Sequence, residues 1–273
     1  MDNTSIDKPF VRRGFHWVLA AWLAAGSLAA QTAAAAENTQ VARQDAPATP
    51  PGPAREYPLF AGWASTDITP RKPVNLVGQY DKRISRSVRD PLTATALALE
   101  TRGDAGPAGQ AILVSCDVIG IPRAVMEKLR AALEPRLPDF DVRKLLLNGT
   151  HTHTAPGLIE TTYKPYDISG DPGVMPPSEY AEFFVERVVM AAVEAWEKRR
   201  PAGLSWGLGY ASVGTNRRAV YFDGKAVMYG TTDSANFSHV EGYRDDAVEL
   251  LFCWDADRKL TGIVVNLACP SQE

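Results

Sequence analysis

Residues 111–118 read AILVSCDV, a nearly continuous apolar run that predicts a strand buried on both faces of a sheet. A helix is predicted next, over residues 122–133, with Pro122 at its start and Pro135 as its stop. A second short buried strand follows at residues 144–148. A strand, a helix and another strand in this order are the repeating unit of α/β folds.

The rest of the chain extends this pattern. A second helix is predicted from Ser178, taken as the N-cap, to a basic last turn at residues 198–200 before Pro201. Four more strands are predicted, at residues 92–99, 204–210, 248–254 and 262–268. We therefore expect an α/β fold in which mixed sheet layers are flanked by helices.

Composition narrows the class of protein. The chain has 273 residues, of which 45% are hydrophobic and 22% charged, and these shares are those of a globular domain. The net charge is −3, from 29 basic and 32 acidic residues, so no basic field suggests nucleic acid as a partner. Three cysteines are too few for a disulfide scaffold, and Cys116 and Cys253 lie in apolar runs as buried hydrophobes would.

The N-terminus has the order of a secretory signal. A basic pair at residues 12–13 precedes an apolar run from Trp17 to Ala30, and Ala34 and Ala36 fit a cleavage site. The apolar run is shorter than the roughly 20 residues that a membrane anchor needs. We therefore predict a signal peptide over residues 1–36 and export to the periplasm or the extracellular space. The arginine pair also fits a twin-arginine signal, so both export routes stay open.

Two segments follow the signal. Residues 37–56 are rich in Ala and Pro and are predicted to form a linker, because such a composition cannot build a core. Residues 57–273 are predicted to form the folded domain. The chain stops directly after the apolar run Ile263–Ala268, so we expect an incomplete domain with an unpaired hydrophobic strand edge and poor solubility.

The densest group of chemically active residues is the stretch LLLNGTHTHTAPG at residues 145–157. His151 and His153 are two residues apart, so their rings share one face if the strand geometry continues. Two imidazoles at the end of a buried strand suit a metal ligand beside a catalytic partner that moves a proton or stabilises an oxyanion. A pair of polar surface residues in a threonine-rich turn is the alternative.

Other polar residues offer further candidates. Residues 214–218 read GTNRR, and Arg217 or Arg218 could clamp a carboxylate or a developing oxyanion, although a solvated pair in a turn is the simpler interpretation. Asp117 could be a ligand, but we favour a structural role. His239 lies in a polar loop and is expected to be exposed and uninvolved.

Taken in order, these stretches resemble the N-terminal catalytic domain of the neutral/alkaline (non-lysosomal) ceramidase family. The resemblance extends from about Phe60 to the end of the chain, and THTHTAPG is its most specific part. The similar segments are AGWASTDITP at 61–70, GQY at 78–80, DPLTATAL at 90–97, VSCD at 114–117, THTHTAPG at 150–157 and NRR at 216–218.

The resemblance implies a function. Ceramidases of this family are secreted or surface zinc amidohydrolases that cleave N-acylsphingosine into a fatty acid and sphingosine. By this resemblance His151 is a zinc ligand, while His153 and Arg217 surround the substrate amide and stabilise the charge on its oxygen. Zn²⁺ would polarise the carbonyl and activate a bound water.

The chain departs from the family pattern at the second zinc histidine. Residues 265–268 read VNLA and resemble the strand before that histidine, but Cys269 follows them. Cys269 is therefore predicted as a thiolate ligand, with an altered or lost metal site as the alternative. The family's remaining ligands, a Glu and a Tyr, come from further along a longer chain. Thr154 and Ala155 also replace the family's Ser-Gly.

The motifs and their departures from the family pattern leave three possible functions. The first is a secreted zinc amidohydrolase that acts on an N-acyl lipid and contacts a membrane surface transiently. The second is a metallohydrolase that acts on another amide or an ester. The third is a non-catalytic relative that binds a lipid or glycan through a degenerate site.

Overall fold

The computed structural model describes residues 58–104 and 106–271, so the predicted signal peptide and linker lie outside the described residues. The elements in chain order are β1 (Leu59–Asp67), β2 (Thr93–Gly103), β3 (Gly106–Cys116), α1 (Arg123–Leu133), β4 (Leu145–Gly149), α2 (Pro177–Glu197), β5 (Arg200–Tyr210), β6 (Arg218–Tyr221), β7 (Ala226–Met228), β8 (Phe237–Val240), β9 (Ala247–Asp255) and β10 (Leu260–Leu267). Short 3₁₀ helices occupy Val142–Lys144 and Lys164–Tyr166.

A mixed sheet of seven strands forms the body of the fold, in the order β10-β9-β5-β1-β2-β3-β4. Neighbouring strands are antiparallel except β3 and β4, which are parallel and are joined through α1. A second sheet has three strands in the order β7-β6-β8. The predicted α/β fold with a mixed sheet and flanking helices is confirmed.

The main core lies between the two helices and one face of the sheet. Ala64, Ala96 and Ala98 present small side chains on this face, and Phe184 and Val188 of α2 belong to the same buried cluster. Burial of each large apolar side chain contributes about 1.5–3 kcal/mol. Because the strand residues on this face are small, α2 can lie close to the sheet.

The bounds of α1 agree with the prediction, whereas α2 begins and ends at residues other than those predicted. The helix begins at Pro177 with Pro176 as its N-cap, so the assignment of Ser178 as the cap was wrong. Proline is well suited to the first helical position, where its missing N–H costs nothing. The Ser178 amide instead donates to Glu160 Oε1 at 3.2 Å. The predicted last turn at 198–200 was also wrong, because α2 has already ended there.

The opposite half of the sheet is more open. A small second cluster packs around Ala61, Leu97 and Cys253. Beyond it, Trp206 and Tyr210 on β5 are 82% and 77% exposed. β10 lies at the edge of the sheet. No helix in the described part of the chain is long and apolar enough to cross a membrane.

Candidate active site

The residues after β4 form a turn beside the end of β3, here called the histidine turn (residues 150–157). The Thr150 amide donates to Cys116 O at 2.9 Å, and the His151 amide donates to Val118 O at 3.1 Å. His151 has φ 61°, so the strand geometry does not continue through it. The rings of His151 and His153 nevertheless lie 5.1 Å apart, because the left-handed residue turns the chain and brings them together.

The imidazole of His151 is held from one side. Its Nδ1 is 2.7 Å from Ile119 O. A carbonyl oxygen only accepts hydrogen bonds, so Nδ1 carries a proton, and in the neutral tautomer that this contact selects Nε2 keeps its lone pair. A backbone carbonyl on one ring nitrogen is the usual arrangement for a histidine whose other nitrogen binds a metal.

His153 is the more buried of the two histidines, with 8% of its surface exposed. Its backbone oxygen accepts a hydrogen bond from Arg83 Nη2. Burial lowers the pKa of His153, and the charges of His151, Arg83 and Arg217 lower it further. A lowered pKa favours the neutral ring, which is the form that can accept a proton.

Gly78 fits against the ring of His153. A Cβ on this residue would lie 2.5 Å from His153 Cγ, and the backbone has φ 99°. The Gly78 amide donates to Tyr166 Oη at 2.8 Å, and that hydroxyl donates to Gln79 O at 2.6 Å. Tyr166 thus fixes the loop that packs on the histidine.

Asp117 links β2 to the histidine turn. Its Oδ2 accepts hydrogen bonds from the backbone amide and the hydroxyl of Thr93, both at 2.9 Å. Its Oδ1 accepts a hydrogen bond from Thr150 Oγ1 at 3.2 Å. Both carboxylate oxygens are therefore engaged, Oδ2 with Thr93 of β2 and Oδ1 with Thr150, the residue just before His151, as a structural role requires.

The second half of the site is the arginine segment (residues 213–230), which follows β5 and includes β6 and β7. Arg217 is exposed, and its Nη1 donates to Tyr229 Oη at 2.7 Å. The Tyr229 amide donates to Arg217 O at 2.8 Å. The positive charge of Arg217 is one of the causes that lower the pKa of His153.

Cys269 contacts the arginine segment, and the chain that follows it contacts the histidine turn. Its side chain is half-buried, and its Sγ lies 3.7 Å from Val213 O. Two residues later the Ser271 amide donates to Thr150 O at 2.9 Å, which joins the end of β10 to the histidine turn. Arg217 and Cys269 both line one cleft of about 860 Å³.

Two other predicted candidates make their contacts within the small sheet. Arg218 lines the same cleft, but its guanidinium forms an ion pair with Glu241 at 2.9 Å. His239 is exposed on β8, and its Nδ1 is 3.0 Å from Ser238 Oγ.

Sequence reasoning missed four residues that shape the site: Gly78, Arg83, Tyr166 and Tyr229. Gly78 belongs to the GQY motif, so a sequence signal for it existed. Arg83, Tyr166 and Tyr229 act through contacts that are distant in the chain or local to one turn, and no motif marks them.

The fold has known counterparts among solved structures. One is a ceramidase complexed with C2, at 20% sequence identity and a TM-score of 0.57, covering 77% of this chain. Another is the neutral ceramidase from Pseudomonas aeruginosa, at 20% identity and a TM-score of 0.56, also covering 77% of this chain. The chain has a ceramidase-like fold.

This similarity concerns the fold and only part of the ceramidases. The chain spans 31% and 32% of the length of these two ceramidase chains. No protein-family model matches the sequence, and no curated protein is detectably similar to it.

Proposed function

We propose that this protein is an exported zinc-dependent amidohydrolase that hydrolyses the amide of an N-acyl lipid, such as an N-acylsphingosine, to a fatty acid and an amine. The observation that carries the proposal is the pairing of His151 and His153, 5.1 Å apart, on a ceramidase-like fold. Export depends on the signal predicted over residues 1–36. A lipid substrate also implies transient contact with a membrane surface.

The donor chemistry of the site fits zinc in part. His151 directs its proton to Ile119 O, so its Nε2 suits a metal ion. Cys269 lies two residues before Ser271, which pairs with Thr150 of the histidine turn, and would supply a thiolate. Among the described residues no group of three potential ligands forms. We therefore assign His151 and Cys269 as only part of a zinc ligand set. Bound zinc would acidify a water and polarise the substrate carbonyl.

The chain's own residues would carry the proton and the charge. Neutral His153 accepts a proton from the attacking water while the water oxygen bonds to the carbonyl carbon. Arg217 donates to the carbonyl oxygen as negative charge develops on it. When the C–N bond breaks, His153 returns the proton to the leaving nitrogen. Water is thus divided between a carboxylic acid and an amine.

A second candidate is a non-catalytic relative that binds a lipid or glycan. The observation that favours it is Cys269, which follows Ala268 where the resemblance predicts the second zinc histidine. A metallohydrolase for another amide or an ester differs from the first proposal only in substrate.

Zinc content and hydrolysis distinguish these functions. The purified full chain is analysed for zinc and assayed on a short-chain N-acylsphingosine, beside His151→Ala and the matched control His239→Ala, which removes an exposed histidine on β8. We expect about one zinc per chain and amide cleavage, both lost in His151→Ala and kept in His239→Ala.

The other outcomes each contradict the proposal in a defined way. Equal zinc in His151→Ala would overturn the ligand assignment. Zinc with cleavage of esters or other amides, but not of N-acylsphingosine, would replace the substrate class. Neither zinc nor cleavage, with retained binding of lipid, would establish the non-catalytic function.

A further inference from the structure

Tyr229 has an unusual backbone next to the site. Its φ is 56°, in the left-handed region that a bulky residue seldom adopts. Tyr229 is one of three non-glycine residues with positive φ in the described part of the chain, together with His151 and Arg258. Such a conformation persists only where the surroundings impose it, and it commonly occurs at functional sites.

The left-handed turn directs Tyr229 onto Arg217 through three contacts. The Tyr229 amide donates to Arg217 O at 2.8 Å, Arg217 Nη1 donates to Tyr229 Oη at 2.7 Å, and the guanidinium carbon lies 5.3 Å from the centre of the phenol ring. Gly230 follows directly, and a Cβ there would collide with the hydroxyl of Tyr221. The chain therefore has room for this turn only because a glycine follows it.

We infer that Tyr229 is a positioning residue for Arg217, because its phenol and its backbone amide together hold the guanidinium side of the cleft in place. Arg217 lies on an exposed loop, and each contact to its guanidinium reduces the number of rotamers that this long side chain samples. A fixed guanidinium can donate to a developing oxyanion without first having to be ordered. The significance for catalysis rests on the proposed function, whereas the restraint itself does not.

The test measures the NMR signals of the Arg217 guanidinium directly. In the ¹⁵N-arginine-labelled full chain, the Nη signals of Arg217 are assigned by their loss in Arg217→Lys. A hydrogen bond to one Nη slows rotation of the guanidinium, so separate Nη signals are expected in the unmodified protein and averaged ones in Tyr229→Phe. Tyr221→Phe is the matched control, since that phenol lies on β6 and donates to Thr231 O.

A second variant guards against misfolding. Tyr229→Gly accepts the left-handed backbone without strain and lacks the phenol, so it should fold and should also average the Arg217 signals. Separate signals that persist in both Tyr229 variants, or averaged signals in the unmodified protein, would overturn the inference.

Activity gives an independent readout. If the proposed amide hydrolysis is observed, Tyr229→Phe should lower kcat about tenfold with little change in KM, and Tyr221→Phe should change neither. Averaged Arg217 signals with unchanged kcat would contradict the role of Arg217 in the proposed function. Unchanged signals would contradict the positioning role of Tyr229, whatever the activity.

Discussion

The two halves of the candidate site are built in different ways. The histidine turn is joined to the core: its amides pair with β3, Asp117 holds Thr150, and Ala155 is fully buried. The arginine segment is largely exposed, and Arg217 donates to Tyr229 of a neighbouring turn. The comparison indicates that the histidine pair is set by folding of the whole domain, whereas the arginine depends on local contacts that a small change can remove.

The rate at which cysteine thiols react is expected to differ most between the histidine turn and the arginine segment. Cys116 lies beneath the histidine turn, and burial raises its pKa to about 12, while burial also raises the pKa of Cys253. Cys269, beside the arginine segment, is half-buried. We expect an aromatic disulfide reagent to label Cys269 on the order of 1,000-fold faster than the other two, which react only after local opening.

Two controls complete the thiol measurement. Cys269→Ser should remove the fast phase, and zinc added beforehand should slow it in the unmodified protein if the thiolate binds the metal. Fast labelling of two or more thiols would show that Cys116 or Cys253 is accessible and would contradict their burial. Labelling of Cys269 at the same rate with and without zinc would contradict its assignment as a ligand.

Substitution of Gly78 is expected to have the largest effect on stability. In Gly78→Ala the new Cβ overlaps the ring of His153, and the left-handed backbone adds strain. We expect the free energy of unfolding to fall by about 3 kcal/mol, measured by urea denaturation. The ring of His153 must also move, so the histidine pair should lose its geometry.

The matched control for Gly78 lies in the arginine segment. Gly224 has φ 81°, close to the 99° of Gly78, but a Cβ there meets no atom within 4 Å. Gly224→Ala should therefore cost only the backbone strain, about 1 kcal/mol. Equal losses in the two variants would show that the fit against His153 contributes nothing.

Removal of the Asp117 carboxylate should have an intermediate effect. Asp117→Ala leaves the amide and hydroxyl of Thr93 and the hydroxyl of Thr150 without their acceptor, so we expect a loss of about 2 kcal/mol in the free energy of unfolding. Asp245→Ala is the control, because that carboxylate accepts a local hydrogen bond from Ala247 in an exposed loop. A loss of 0.5 kcal/mol or less in both variants would contradict the structural role of Asp117.

The structure also shows which features the sequence could predict. The unit of β3, α1 and β4 was predictable because its strands are continuous apolar runs and its helix carries Val125, Leu129 and Leu133 at helical spacing. The histidine turn was predictable as a site because two histidines follow an apolar run, although in that strand, β4, only Leu145 is buried. In both cases the signal is local in the sequence.

Other features depend on contacts that are distant in the sequence. β1 was not predicted, although it lies inside the sheet, because Gly62 and the polar residues near its end interrupt the apolar pattern. The short strands β6 to β8 were missed because they have three or four residues each and are largely exposed. The left-handed conformation of Tyr229 carries no sequence signal, since the residues that favour it are glycine, asparagine, aspartate and histidine, and a single histidine such as His151 is too weak a signal to predict it.

Arg218 should show the smallest effect and separates the two adjacent arginines. Its ion pair with Glu241 joins side chains that are each nearly half exposed, and pairs of this kind contribute little because water and salt screen them. Arg218→Ala should therefore change the free energy of unfolding by less than about 0.5 kcal/mol.

Arg217→Ala should change the free energy of unfolding equally little, since its guanidinium is exposed. Of the two arginine variants, however, only Arg217→Ala should abolish hydrolysis of the lipid amide. Urea denaturation and the amide assay on both variants test this directly. If Arg218→Ala removes hydrolysis and Arg217→Ala does not, the cleft uses the other arginine, and the restraint by Tyr229 serves the fold of the small sheet instead of the chemistry.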